Sequence, residues 1–374
     1  MRVKQASFRS PDQAAGAFDD IVPQLVLVFA AVEQFASDQF ASELQRQFPG
    51  ALLLGCSTAG EISAAGVEDG SCNLTAVQFA TTRLRAADTT LAGMDDSHAA
   101  GRRIGEQLAT DDLRAVMVFA PGVNINGSAL VDGIAASIGA AVPITGGLAG
   151  DGGAFRRTFT LGAQGVRDDG VVAIGLYGER LRFHHGSFGG WEPFGPARKV
   201  TRCSGNVLHE LDGEPALDVY RRYLGEYARE LPASGLLFPF AMLGEDHGAI
   251  GLIRTILGVD AADGSLILAG EIEPGGYLKL MHASTDKLVG GAESAAQLAA
   301  DPATDRLAVL VSCVGRKLVM GNRVDEEIEA VADVLGKQVT LTGFYSYGEI
   351  SPFMPGAACK LHNQTMTITC LGED

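Results

Sequence analysis

Basic residues never run longer than a pair in this sequence, as at Arg156-Arg157 and Arg221-Arg222, and they are outnumbered. There are 29 Lys and Arg against 45 Asp and Glu, for a formal net charge of −16. Without a cationic cluster to displace counterions, nucleic acid is not an expected partner, and an acidic surface disfavours anionic membranes. Long apolar runs are missing too. LVLVFAAV is among the longest and falls well short of the ~20 residues a membrane-spanning helix needs. The opening MRVKQASFRSPDQAAGAF has no apolar segment of the kind a secretory signal requires. Six cysteines (Cys56, Cys72, Cys203, Cys313, Cys359, Cys370) form neither CxxC nor CxxCH. Free, mostly buried thiols in a reducing compartment follow, and the expected location is the cytoplasm. Signatures of catalysis are equally scarce. No HExxH occurs among the seven histidines, and GCSTAG has one residue too many for a GxSxG nucleophile elbow. An enzyme is therefore not expected.

What is present is a globular composition, 47% apolar and 20% charged, in a chain longer than one core usually supports. Forty-eight glycines beside apolar runs indicate many tight turns between short elements. Leu25–Ala30, Ala51–Leu54, Leu74–Phe79, Ala115–Ala120, Val171–Tyr177, Leu307–Ser312 and Gln364–Cys370 read as strands, several buried on both faces. Ser97–Leu108, Pro215–Leu224 and Val324–Leu335 read as helices, the last with acidic residues in its first turn and Gly336 as its stop.

Two stretches repeat one order of strand, helix, strand and strand, and they share the strings GCSTAGEIS (Gly55–Ser63) and GFYSYGEIS (Gly343–Ser351). A third stretch begins comparably, with RAVMVFAPG, PITGGLAGDGG and VVAIGLYG. The expected fold is α/β (mixed α+β), with internally duplicated β-α-β-β units forming two intimately packed halves. The halves run 25–225 and 226–371, with a boundary near Gly225–Pro232.

Each GEIS turn places a carboxylate at the end of a strand, where ligands of layered α/β folds usually sit. One reading has Glu61 and Glu349, with the hydroxyls of Thr58 and Ser346, lining a cleft between the halves. The other has each Glu capping the amides of its own turn. Gly147 and Asp151 lie in GGLAGDGG, which lacks a phosphate-loop signature and reads as a loop beside a ligand site. Arg254 and Arg316 are candidate partners for a ligand carboxylate. His362, near the second GEIS turn, either bonds that turn or serves as an axial haem ligand. Trp191, the one tryptophan, either anchors packing or covers a flat ligand.

Beyond these motifs, GGLAGDGG, GGWEPFGPARKVT, GNVLHELDGEPALDVYRRYLG, VSCVGRKLVMGNRVDEEIEAV and LHNQTMTIT follow in an order that resembles the FIST N-terminal and C-terminal regions from Leu25 to Leu371. The resemblance implies an intracellular small-ligand sensor, with amino acids among the ligands. It extends to the stand-alone haemoproteins of that family (NosP), which bind haem b, sense nitric oxide and regulate a histidine kinase or a cyclic-di-GMP enzyme in the manner of two-component signalling. The favoured expectation is accordingly a haem-binding nitric oxide sensor. The alternative is a haem-free binding module for a small metabolite such as an amino acid.

Overall fold

A computed structural model describes residues 1–9, 11–14, 16–244, 247–301, 303, 305–353 and 356–374. The first unit holds β1 (Arg2–Phe8), β2 (Leu25–Ala30), α1 (Val32–Phe35), α2 (Phe40–Gln47), β3 (Leu52–Ser57), the hairpin β4 (Glu61–Ser63) and β5 (Gly66–Glu68), and β6 (Cys72–Gln78). The second holds β7 (Arg83–Thr90), α3 (Ser97–Leu108), β8 (Leu113–Ala120), α4 (Gly127–Ile138), β9 (Ile144–Leu148), the hairpin β10 (Thr160–Gly162) and β11 (Gly165–Arg167), and β12 (Gly170–Tyr177). The third opens with β13 (Leu181–Phe188). It is then interrupted by nine strands, β14 (Glu192–Pro193) to β22 (Tyr277–His282), with α5 (Ala216–Leu224) among them. It resumes with α6 (Thr285–Ala299), β23 (Asp305–Cys313), α7 (Val314–Met320), α8 (Asp325–Leu335) and β24 (Thr340–Ser346). The hairpin β25 (Gly348–Pro352) and β26 (Cys359–His362) and the strand β27 (Met366–Glu373) complete it.

The three units build three six-stranded sheets of one design: β1-β6-β2-β3-β10-β11, β7-β12-β8-β9-β25-β26 and β13-β27-β23-β24-β4-β5. Each sheet takes its last two strands from another unit. The first unit's hairpin joins the third sheet, the third unit's joins the second, and the second unit's joins the first. In every sheet the second and third strands of the unit run parallel, as β2 with β3, β8 with β9 and β23 with β24.

The strand sequences explain their depth. β2 and β12 are buried along their whole lengths, as near-continuous apolar runs covered on both faces must be. Phe29, Phe119 and Phe344, one from each unit, meet with ring centroids 4.8 to 5.7 Å apart. Glycine recurs at one equivalent position in each third strand. A Cβ at Gly55, Gly146 or Gly343 would lie 1.8, 1.9 or 1.9 Å from the carbonyl oxygen of Val28, Val118 or Leu310. No larger residue fits where the parallel strands approach so closely.

The mixed α/β architecture is the expected one, and the repeat goes a step further than two copies. The boundary near Gly225–Pro232 lies inside the nine-strand insertion, so the sheets divide the chain into three units and an insertion. The insertion lacks the repeated pattern, and its two ends leave side by side, with Glu192 opposite His282 on β14 and β22.

Candidate functional site

The turns after the three third strands interlock. Ala59 N–H donates to the Tyr345 carbonyl (2.8 Å), Tyr347 N–H to that of Leu148 (3.2 Å), and Gly150 N–H to that of Ser57 (2.8 Å). This cycle sets the equivalences among the turns: Glu61 corresponds to Glu349, and the second unit has Gly152 there.

Both glutamates cap their own turns. Glu61 accepts from Thr58 Oγ1, and from Ser71 N and Oγ, each at 2.8 Å. Glu349 accepts from Ser346 Oγ (2.7 Å), Thr365 N (3.1 Å) and Thr365 Oγ1 (2.9 Å). Burial pushes both carboxyls up, Glu349 to about 7, with the hydroxyl and amide bonds partly offsetting it. The two carboxylates do not converge on one cleft.

The second unit departs from this pattern. Its turn opens into a loop tied at its root by Asp151. Oδ1 accepts from Phe155 N (2.8 Å), and Oδ2 from Arg156 N (2.7 Å) and Arg157 N (2.9 Å). The Tyr347 hydroxyl donates to Asp151 and accepts from Asp151 N (3.2 Å), Gly153 N (3.0 Å) and Phe155 N (3.3 Å). These bonds hold Phe155 flat on Tyr347, with centroids 4.0 Å apart and planes at 15°. Phe155 sits at φ +53° and Asn124, on the facing loop, at φ +57°. Left-handed backbone costs a bulky residue about 1–2 kcal/mol, and such strain gathers where a site must be preorganised.

Both strained residues line one cleft of about 300 Å³ between the second unit and the insertion. Tyr347, Phe155, Asn124 and Asn126 form one wall; Leu257 and Ile267, on β20 (Ile256–Asp260) and β21 (Ser265–Leu268), face them. The cleft lies past the carboxyl ends of parallel β8 and β9, where open α/β sheets bind ligands. Asn126 caps α4 through Oδ1 and reaches across to Glu271 with its amide at 2.9 Å, tying the insertion to the core.

Behind the insertion's wall is Arg254, 3% exposed. Its guanidinium donates to the carbonyls of Glu271 (3.0 Å), Ile253 (3.2 Å) and Leu361 (3.4 Å). Among the described residues it has no carboxylate within ion-pair distance, and burial lowers its pKa to about 10. Gly270, which lines the cleft, lies directly against it. A Cβ there would be 2.8 Å from Arg254 Nε and 3.0 Å from Cζ, so the guanidinium packs on the bare glycine backbone and no side chain fits at this position without displacing it.

The remaining candidates go elsewhere. Arg316 is wholly buried and pairs with Glu327 at 2.7 Å. It also donates to the carbonyls of Gly189 and Leu288, while Ser312 and Tyr345 donate to Glu327. Its carboxylate partner is thus internal. Gly147 has the Phe344 ring and Val311 where a side chain would be. Trp191 anchors the start of the insertion, its indole N–H donating to the Gln364 carbonyl at 2.8 Å.

His362 does not fit an axial haem ligand. It is 1% exposed, its Nε2 bonds the Ser351 carbonyl at 2.7 Å, and Phe353 packs edge-on at 4.3 Å. Among the described residues its Nδ1 has no partner but is enclosed, and burial lowers the imidazole pKa to about 4. Among the described residues no three His, Cys, Asp or Glu side chains group as metal ligands. The buried thiols Cys56, Cys72, Cys313 and Cys359 are all pushed up by burial, which makes them poor nucleophiles.

Tyr347, Phe155, Asn124 and Asn126 were not among the sequence candidates. The available signal was the mismatch between the repeats: Tyr347 stands where GCSTAGEIS has Ala59, and GGLAGDGG has no GEIS at all.

The fold is a three-unit α/β core with a cleft where the repeat breaks. The chain belongs to the FIST family: residues 24–214 match the FIST N domain and residues 216–352 the FIST C domain. FIST domains are small-ligand-sensing domains of signalling proteins. An uncharacterized protein of Methanocaldococcus jannaschii is 25% identical over 218 residues, covering 55% of this chain and 41% of that protein. The chain thus aligns with about two fifths of that relative's length. A cyanuric acid hydrolase from A. caulinodans superposes over 99% of this chain and 98% of its own at a TM-score of 0.38 and 11% identity, too loose a likeness to carry chemistry across. Among the described residues no helix is long and apolar enough to cross a membrane.

Proposed function

We propose that the chain senses a small carboxylate metabolite, such as an amino acid, without haem, and binds it in the cleft between the second unit and the insertion. The observation that carries this is Arg254, a buried guanidinium whose hydrogen bonds among the described residues all go to carbonyls, packed behind the cleft wall at Gly270. A buried charge whose nearest carboxylate, that of Glu271, lies outside ion-pair distance is costly, and a ligand carboxylate relieves that cost. The apolar faces of Phe155, Leu257 and Ile267 suit the ligand's body, and Asn124 and Asn126 suit its polar groups. The Asn126–Glu271 bond, which ties the insertion to the core beside the cleft, couples occupancy to the insertion's position in this reading. The family resemblance supports a histidine kinase or a cyclic-di-GMP enzyme as the recipient.

A thermal-shift screen of amino acids and simple carboxylates tests the reading, since a ligand at 100 times its Kd stabilises the folded state by about 2.7 kcal/mol. The expected result is a concentration-dependent rise for at least one compound, lost in Gly270→Ala, whose Cβ would lie 2.8 Å from Arg254 Nε and displace the guanidinium. A screen with no hit counts against it. A saturable Soret band on adding hemin would restore the haem-based nitric oxide sensor.

A further inference from the structure

Charged residues make up 20% of the chain, but among the described residues that line the cleft none is Asp, Glu, Lys, Arg or His. The two grooves next along the Asp151 loop are different. One is lined in part by Arg156, Arg157, Asp168 and Asp169, the other by Asp38, Arg157, Arg167 and Asp168.

Apolar side chains line the cleft at its buried end and at its mouth. Leu148, Leu268 and Leu361 are buried, whereas Met94, Leu257 and Ile267 are 46%, 41% and 38% exposed. The exposed three come from separate segments: the turn before α3, β20 and β21. Single exposed apolar side chains are ordinary, but several brought together on one concavity mark a binding groove. The polar groups present are neutral and largely committed. The Tyr347 hydroxyl serves the Asp151 loop, Asn126 bonds Ala129 N and Glu271, and the Asn206 amide donates to the Leu268 carbonyl at 2.9 Å. An ionised group on the body of a ligand therefore meets hydrocarbon and amides but no countercharge on these walls, and its desolvation goes uncompensated.

We propose that the cleft selects acids whose body is uncharged and apolar, branched aliphatic or aromatic, and rejects those that carry a second ionised group. For the ligand's carboxylate this rests on the reading above; for its body it rests on the walls alone.

Calorimetric titration of the full chain tests both parts separately. The apolar probes are 4-methylpentanoate and 3-phenylpropanoate, the charged ones glutarate and 5-aminopentanoate, and the amides of the two apolar acids serve as head-group controls. At least one apolar acid is expected to bind about tenfold or more tighter than either charged probe. Ile267→Lys places a cation at the mouth, and is expected to bring glutarate within about twofold of the apolar acids while weakening 5-aminopentanoate further. Damage to the cleft in general would not move the two charged probes in opposite directions, and Leu257→Lys on the neighbouring strand gives a second variant should the first not fold. Charged probes that bind as tightly as the apolar acids, or a preference untouched by either lysine, overturn the proposal. Amides that match their acids remove the carboxylate reading and leave the apolar selection standing, and binding by none of the probes removes both.

Discussion

At the scale of single residues, buried polar groups are either fully enclosed by partners or poised for something. Arg316 is the first kind, since Glu327, Gly189 and Leu288 take its donors. Arg316→Met leaves Glu327 buried without its counterion, and a loss of about 3–5 kcal/mol in denaturant unfolding is expected. Pairing it with Glu327→Leu should recover a large part of that loss, because the orphaned charge is then gone. Glu349 and His362 predict opposite pH dependences. Glu349 is raised from 4.5 to about 7, so its contribution is full below pH 4.5 and is lost as pH rises through 7. His362 is lowered from 6.5 to about 4, so its contribution is full above pH 6.5 and is lost as pH falls through 4. Between pH 4.5 and 6.5 the two slopes oppose each other. Glu349→Gln should therefore make stability climb more steeply with pH across that window, and His362→Asn should make it fall. Denaturation midpoints at half-unit pH steps read both.

At the scale of elements, the turns decide both stability and site. Gly55, Gly146 and Gly343 let the parallel strands approach, and a Cβ at any of them overlaps a backbone carbonyl that cannot move aside. Gly146→Ala is expected to cost about 3 kcal/mol or more, beyond the usual range for a point substitution, and to appear as loss of soluble protein. The Asp151 loop is held partly from another unit, by the Tyr347 hydroxyl. Tyr347→Phe removes an acceptor shared by three amides; Phe155 N keeps Asp151 Oδ1, while Asp151 N and Gly153 N lose the hydroxyl, for an expected cost of about 1–3 kcal/mol. Faster hydrogen exchange confined to residues 151–157 would separate this loosening from global unfolding; an unchanged exchange pattern would refute it.

For the whole molecule, cyclic exchange of hairpins ties the three units together. None of the three six-stranded sheets is complete without strands from another unit, so the core is expected to unfold in one transition by both circular dichroism and tryptophan fluorescence. The insertion stands apart from that cycle, with its ends adjacent at Glu192 and His282. Replacing residues 194–280 by a short Gly-Ser loop should leave a folded core that no longer binds the carboxylate probes, as Arg254, Gly270, Leu257 and Ile267 go with it. Failure of the shortened chain to fold would show that the insertion is part of the core.

Much of this was legible in the chain by itself. Continuous apolar runs such as Leu25–Ala30 can only be strands covered on both faces. The helix Ser97–Leu108 has the bounds its pattern suggests, and the GEIS strings disclose a repeat, because local preference and burial follow from nearby residues. The capping role of Glu61 and Glu349 was one of two readings left open, since a turn's own hydroxyls and amides cannot be told from a ligand's by spacing alone. Other matters turned on contacts between residues hundreds of positions apart. Tyr347 reaches the Asp151 loop across 196 positions, and Arg316 meets Gly189 across 127. The exchange of hairpins, the insertion within the third unit and the packing of Arg254 on Gly270 are likewise products of long-range packing. Sequence determined the elements and their repetition; only the tertiary structure decided which copy of the repeat was opened into a cleft, because that depends on which distant side chains fill the turns.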